Sequence, residues 1–135
     1  MKLSTLGFSL ILGLTLLTGC SLSPEEKVGR EQALKQTVDS FADSVVQTKW
    51  DEVFKLSDGS FESAEKLKEL LKKSGVSDAI LTSGQIASMS WITDTIAKVK
   101  LTWTFQVGSV ESYSSETFVW VWKGNGWKFR GRSLR

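Results

Sequence analysis

The chain has 135 residues, 41% hydrophobic and 24% charged, which suits one ordinary domain with a real core. Its formal net charge of +2 does not argue for a nucleic-acid partner. It has no histidine and one cysteine, which removes His-based triads, His-based metal sites and any internal disulfide.

Residues 1–20 read as a targeting segment. Lys2 supplies a positive start, residues 6–17 are mostly apolar, and Leu17-Thr18-Gly19-Cys20 comes next as a cleavage side. This tetrapeptide resembles the lipobox of bacterial lipoproteins, in which a signal peptidase cuts before the cysteine and the cysteine is acylated. The resemblance implies a signal peptide over 1–19, a lipid anchor at Cys20 with a tether to residue 24, and a domain over 25–135. It also implies a membrane partner reached through the acyl chains. Ser21 after the cysteine implies the outer membrane, facing the periplasm, for a source with two membranes. A plain secretory signal with a chance cysteine, or a buried helix, are the alternatives. The apolar run is short for a membrane-spanning helix.

A first helix is predicted over 25–47, because Leu34, Val38, Phe41, Ala42, Val45 and Val46 recur at three and four residues. Thr48-Lys49-Trp50-Asp51 has capping-box spacing and is expected to open a short second helix with Trp50, Val53 and Phe54 inward. Ser57-Asp58-Gly59-Ser60 reads as a turn. A third helix is predicted over 62–73, burying Leu67, Leu70 and Leu71 and stopping at Gly75. Residues 76–84 read as irregular, and a first strand is expected over 85–92, turning at Thr93-Asp94.

The last third alternates. Ala97, Val99, Leu101, Trp103 and Phe105 occupy odd positions, Phe118, Trp120 and Trp122 even ones, and Trp127 and Phe129 close the pattern. Gly108-Ser109 and Gly124-Asn125 are hairpin turns. They set Val99 opposite Phe118, Ala97 opposite Trp120, Leu101 opposite Glu116, Trp122 opposite Trp127 and Trp120 opposite Phe129. Every large apolar side chain then lands on one face, and a one-residue slip would scatter them. The expected fold is α+β: three N-terminal helices packed on a curved four-stranded antiparallel sheet.

That order resembles the nuclear transport factor 2-like superfamily, the cystatin-like cone fold. The resemblance rests on the long first helix, Trp50-Asp51-Glu52-Val53-Phe54, Asp94-Thr95-Ile96-Ala97-Lys98-Val99, and the closing hairpin Gly124-Asn125-Gly126-Trp127-Lys128-Phe129. It implies a conical pocket between helices and sheet. Members include isomerases, dehydratases, transport factors and small lipoproteins.

Little in the chain suits catalysis. There is no Gly-rich phosphate loop, and no cofactor or metal is expected. Tyr113 falls on the outer face. Glu116 is the one carboxylate placed on the aromatic face, where it serves either as a lone base or as a solvated or Lys-paired group at the mouth; a single carboxylate makes a poor active site. Phe54, Trp103, Glu116, Trp120, Trp122 and Trp127 are the pocket candidates, with core packing as the alternative for the aromatics.

On the outer face the register aligns Trp91, Ile96, Val121 and Lys128 in one row and Met89, Lys98, Val119 and Arg130 in the next. An apolar patch there predicts a homodimer or an envelope protein partner, unless a bulge turns Trp91 inward. From residue 95 onward seven basic residues face two acidic ones, a solvated face or a weak anionic contact. The expectation is a membrane-anchored, non-enzymatic binding or accessory module that uses the outer sheet, a small apolar ligand in the cone, or both. An isomerase or dehydratase using Glu116, and an accessory factor in cell-wall or envelope assembly, are the alternatives.

Overall fold

The computed structural model describes residues 22–73 and 80–133. They form three helices, α1 (Pro24–Val46), α2 (Trp50–Lys55) and α3 (Ala64–Lys73), and four strands, β1 (Ile80–Thr93), β2 (Ile96–Val107), β3 (Val110–Trp122) and β4 (Trp127–Arg132). The strands make one antiparallel sheet in chain order, with the helices packed against it, an α+β fold. The targeting segment 1–20 and the expected helix stop at Gly75 lie outside the described residues.

α1 starts on a capping box. Ser23 Oγ accepts the Glu26 N–H at 3.2 Å, and Glu26 Oε1 accepts the Ser23 N–H at 3.1 Å. Pro24 fits the first turn, where a missing N–H costs nothing. The box expected at Thr48 does not form: Lys49 precedes α2 and makes no side-chain cap bond. Thr48 closes α1 instead. It sits at φ 58°, its N–H donates to Val45 O at 3.0 Å, and the Lys49 N–H donates to Ser44 O at 2.8 Å, a Schellman motif with threonine where glycine is usual.

The stripe Leu34, Val38, Phe41, Ala42 and Val45 is buried against the sheet. Phe41 stacks on Phe129 at 4.7 Å between centroids and meets Trp120 edge-on at 5.1 Å. Val53 from α2 and Leu67 and Leu71 from α3 complete the core with Val99, Leu101, Trp103 and Phe118. After α2 the chain docks along the free edge of β4. Phe129 N–H donates to Leu56 O at 2.6 Å and Asp58 N–H donates to Phe129 O at 2.9 Å, so this sheet edge is covered.

The register of β2 with β3, and of β3 with β4 from the turn as far as Trp120 and Phe129, is the one the turns predict. Val99 pairs Phe118, Leu101 pairs Glu116, Ala97 pairs Trp120, Trp120 pairs Phe129 and Trp122 pairs Trp127. β1 differs. It begins at Ile80, inside the stretch expected to be irregular, and turns at residues 94–95, one residue later than expected. Three register shifts, at Thr82, Ala87 and Ile92, interrupt its ladder. Leu81, Gly84, Ile86, Met89 and Trp91 therefore pair with Phe105, Trp103, Leu101, Val99 and Ala97, all residues of the concave face. Each bulge adds one residue and re-aims the side chains beyond it.

That corrects the outer rows. Trp91 and Met89 lie on the concave side, and the Trp91 ring is 5.4 Å from that of Trp127. Arg130 is displaced too: a shift in β4 sets Gly131 opposite Val119. Ile96, Lys98, Val119, Val121 and Lys128 keep their convex register, but Val121 is only 6% exposed, so the expected solvent-facing centre of the patch is closed.

Candidate functional site

The pocket candidates separate into core and rim. Trp103, Trp120 and Trp127 are buried within the core cluster, while Phe54 and Trp122 are half-buried against it. Among the described residues no acceptor meets the Trp103 or Trp120 indole N–H. An orphaned buried donor costs about 1–3 kcal/mol, so packing alone places these two rings. Gly84 lies under Trp103: a Cβ there would sit 2.5 Å from Trp103 Cζ3. Glu116 stands at the rim with its side chain 20% exposed, and Arg132 Nε lies 3.7 Å from its Oε2. By strand rise it is roughly 20 Å from Trp122 along β3.

Trp122 belongs to a tryptophan cluster at the end of the sheet that carries the β1–β2 and β3–β4 turns. Trp127 is its centre, meeting Trp91 at 5.4 Å and Trp122 at 5.5 Å. Ala97, opposite Trp91, is small enough to let β1 and β4 approach across the concave side. Arg30 of α1 ties the group together. Its Nη1 donates to Asp94 O at 2.9 Å, its backbone O accepts from Trp127 Nε1 at 2.9 Å, and its guanidinium carbon lies 4.6 Å from the Trp122 centroid. The first turns of α1 thereby sit beside the turn at Asp94.

Arg30 is a residue that the sequence reading misses. It precedes Leu34 by four residues, so the i, i+4 spacing of the buried stripe points to it. Asp58, expected only as a turn residue, does more. Burial alone would raise its carboxyl, but bonds from Ser60 Oγ and N and from Arg130 Nε at 3.2 Å hold it below the usual carboxylate range. Lys128 reaches Lys55 O at 3.4 Å. Two basic residues of the expected interface thus bind the last residue of α2 and the segment after it.

Among the described residues the arrangement offers aromatic surface, with Glu116 the one carboxylate in register on the concave face of β2 and β3. Among the described residues no cluster of His, Cys, Asp and Glu could hold a metal ion, and no helix is long and apolar enough to cross a membrane. No family model matches the chain, and no curated protein matches it.

Proposed function

We propose that the chain is a lipid-anchored envelope protein of the nuclear transport factor 2-like superfamily, whose domain is a non-enzymatic binding or accessory module. The observation that carries this reading is Leu17-Thr18-Gly19-Cys20 behind an apolar run, with the single cysteine of the chain at the acylation position. Several acyl chains on one residue give stable attachment where a single chain does not. Ser21 favours the outer membrane and its periplasmic side for a source with two membranes. The α+β order of three helices and four strands supports the superfamily. Glu116, 20% exposed and paired with Arg132 rather than fully buried, supports a binding role over an isomerase or dehydratase.

The test is Cys20→Ala in the full chain. The native chain takes up labelled palmitate and fractionates with membranes, while Cys20→Ala does neither. A Cys20→Ala chain that stays on membranes and takes up the label overturns the reading.

A partner on the convex sheet has less to hold than the sequence implies. With Trp91 and Met89 on the other side and Val121 closed, Ile96 and Val119 remain as half-buried apolar side chains there.

A further inference from the structure

The polarity of α1 decides which end of the domain faces its tether. Cys20 precedes Pro24 by four residues, and four extended residues span at most roughly 14 Å. Arg30 lies six residues into α1, about 9 Å along its axis, and there it bonds the Asp94 carbonyl of the β1–β2 turn. The tryptophan end of the sheet therefore lies next to the point of attachment. The β2–β3 tip at Gly108-Ser109 lies about 36 Å away along β2, at the far end.

The tether end carries apolar side chains that the fold does not cover. Trp91 is 39% exposed although it touches Trp127, and Ile92 next to it is 52% exposed. The bulge produces this corner. It leaves Ile92 outside the ladder pairing and sets Trp91 on the concave rim beside it. Tryptophan with a neighbouring aliphatic residue suits the boundary between headgroups and acyl chains, where an amphipathic ring is half in and half out. The charges nearby are mixed: Lys27 and Lys123 stand with Glu25, Glu26 and Asp94. Attraction to anionic lipid therefore contributes little, and the fit is apolar.

We infer that the Trp91–Ile92 corner is a second contact with the bilayer, laying this end of the domain on the membrane surface and pointing the β2–β3 tip away from it. This rests on the acylation of Cys20 proposed above. The patch is too small to hold a free protein on a membrane, but the tether makes the contact intramolecular. A short flexible linker gives an effective concentration near the millimolar range, so a weak contact stays occupied. The consequence is orientation. The far end, with Val107, Val110 and Tyr113 exposed, is the surface presented to the envelope space.

The experiment uses the full acylated chain, purified from membranes and reconstituted into phosphatidylcholine vesicles with brominated acyl chains. Flotation reports anchoring, and quenching of tryptophan fluorescence reports contact. Trp103, Trp120 and Trp127 are buried and Trp50 and Trp122 are half-buried, so Trp91, at 39% exposed, is the principal reporter. Expected is quenching relative to unbrominated vesicles that is unchanged by high salt and reduced severalfold both in Trp91→Phe and in Ile92→Asp, with flotation intact. A chain that floats and is not quenched overturns the contact and leaves the anchor standing. So does quenching that both variants leave unchanged. A chain that carries no acyl group and does not float removes the anchor and the contact together. A photoreactive amino acid in place of Ile92 gives a further reading in cells: lipid adducts support the contact, and adducts to a protein alone overturn it.

Discussion

Gly84→Ala tests the packing of β1 at a single atom. The added Cβ would lie 2.5 Å from Trp103 Cζ3, 2.7 Å from Cε3 and 3.1 Å from the Ala42 Cβ. Trp103 is fully buried and cannot swing out, and Ala42 belongs to the buried stripe of α1. Overpacking of this kind costs about 1–3 kcal/mol, and a rigid ring trapped between strand and helix puts Gly84 at the upper end. Replacing glycine by alanine also narrows the unfolded ensemble, which returns about 0.4–1 kcal/mol. The net expectation is a loss of about 2 kcal/mol, or roughly 8–10 °C in Tm for a domain a little above 100 residues. Urea unfolding followed by tryptophan fluorescence and by circular dichroism measures it. In a Trp103→Leu background the six-membered ring is gone, and the same glycine change should become neutral or stabilising, a coupling of about 2 kcal/mol. A Gly84→Ala protein as stable as the parent, or an equal loss in both backgrounds, would refute the placement of Gly84 under Trp103 and with it the bulged register of β1.

Thr48→Gly should stabilise the domain by about 0.5–1 kcal/mol, because it removes the Cβ from a left-handed residue that costs about 1–2 kcal/mol and returns part of that gain to the unfolded chain; a loss in urea midpoint would show that φ 58° is not held in solution. Asp58→Asn should cost about 1–3 kcal/mol at neutral pH, since the carboxylate bonds to Ser60 and Arg130 are charge-assisted. The native carboxyl titrates below its unfolded value, so its contribution is present above the ordinary carboxylate range and is lost as pH falls through the lowered folded value; the gap between parent and Asp58→Asn narrows only in acid, and a gap constant down to strong acid contradicts the assignment. Val121→Glu should destabilise the fold by about 2 kcal/mol or more, because its 6% exposure leaves a new carboxylate little water; a neutral outcome by the same unfolding assay would mean the convex site is open.

Sequence alone determined the pairing of β2 with β3, the start of the β3–β4 pairing as far as Phe129, and the buried face of α1. Period-two alternation and two glycine turns are local signals, and any slip of register would have put Trp103, Phe118 or Trp127 in water. The capping box Ser23-Pro24-Glu25-Glu26 is an equally local signal that the sequence reading passes over, while the same spacing at Thr48 is overridden by the closure of α1. Tertiary structure alone decided β1. Its concave residues fall at 81, 84, 86, 89 and 91, a rhythm of three and two that matches neither strand nor helix period. Bulges are placed by what they let touch: Gly84 beneath Trp103, and Trp91 against Trp127 across Ala97. Arg30 belongs to the same class, since its partner Asp94 lies 64 residues away in the chain. The candidate site is built from these contacts, and contacts between residues so far apart in the chain leave no period for the sequence to display.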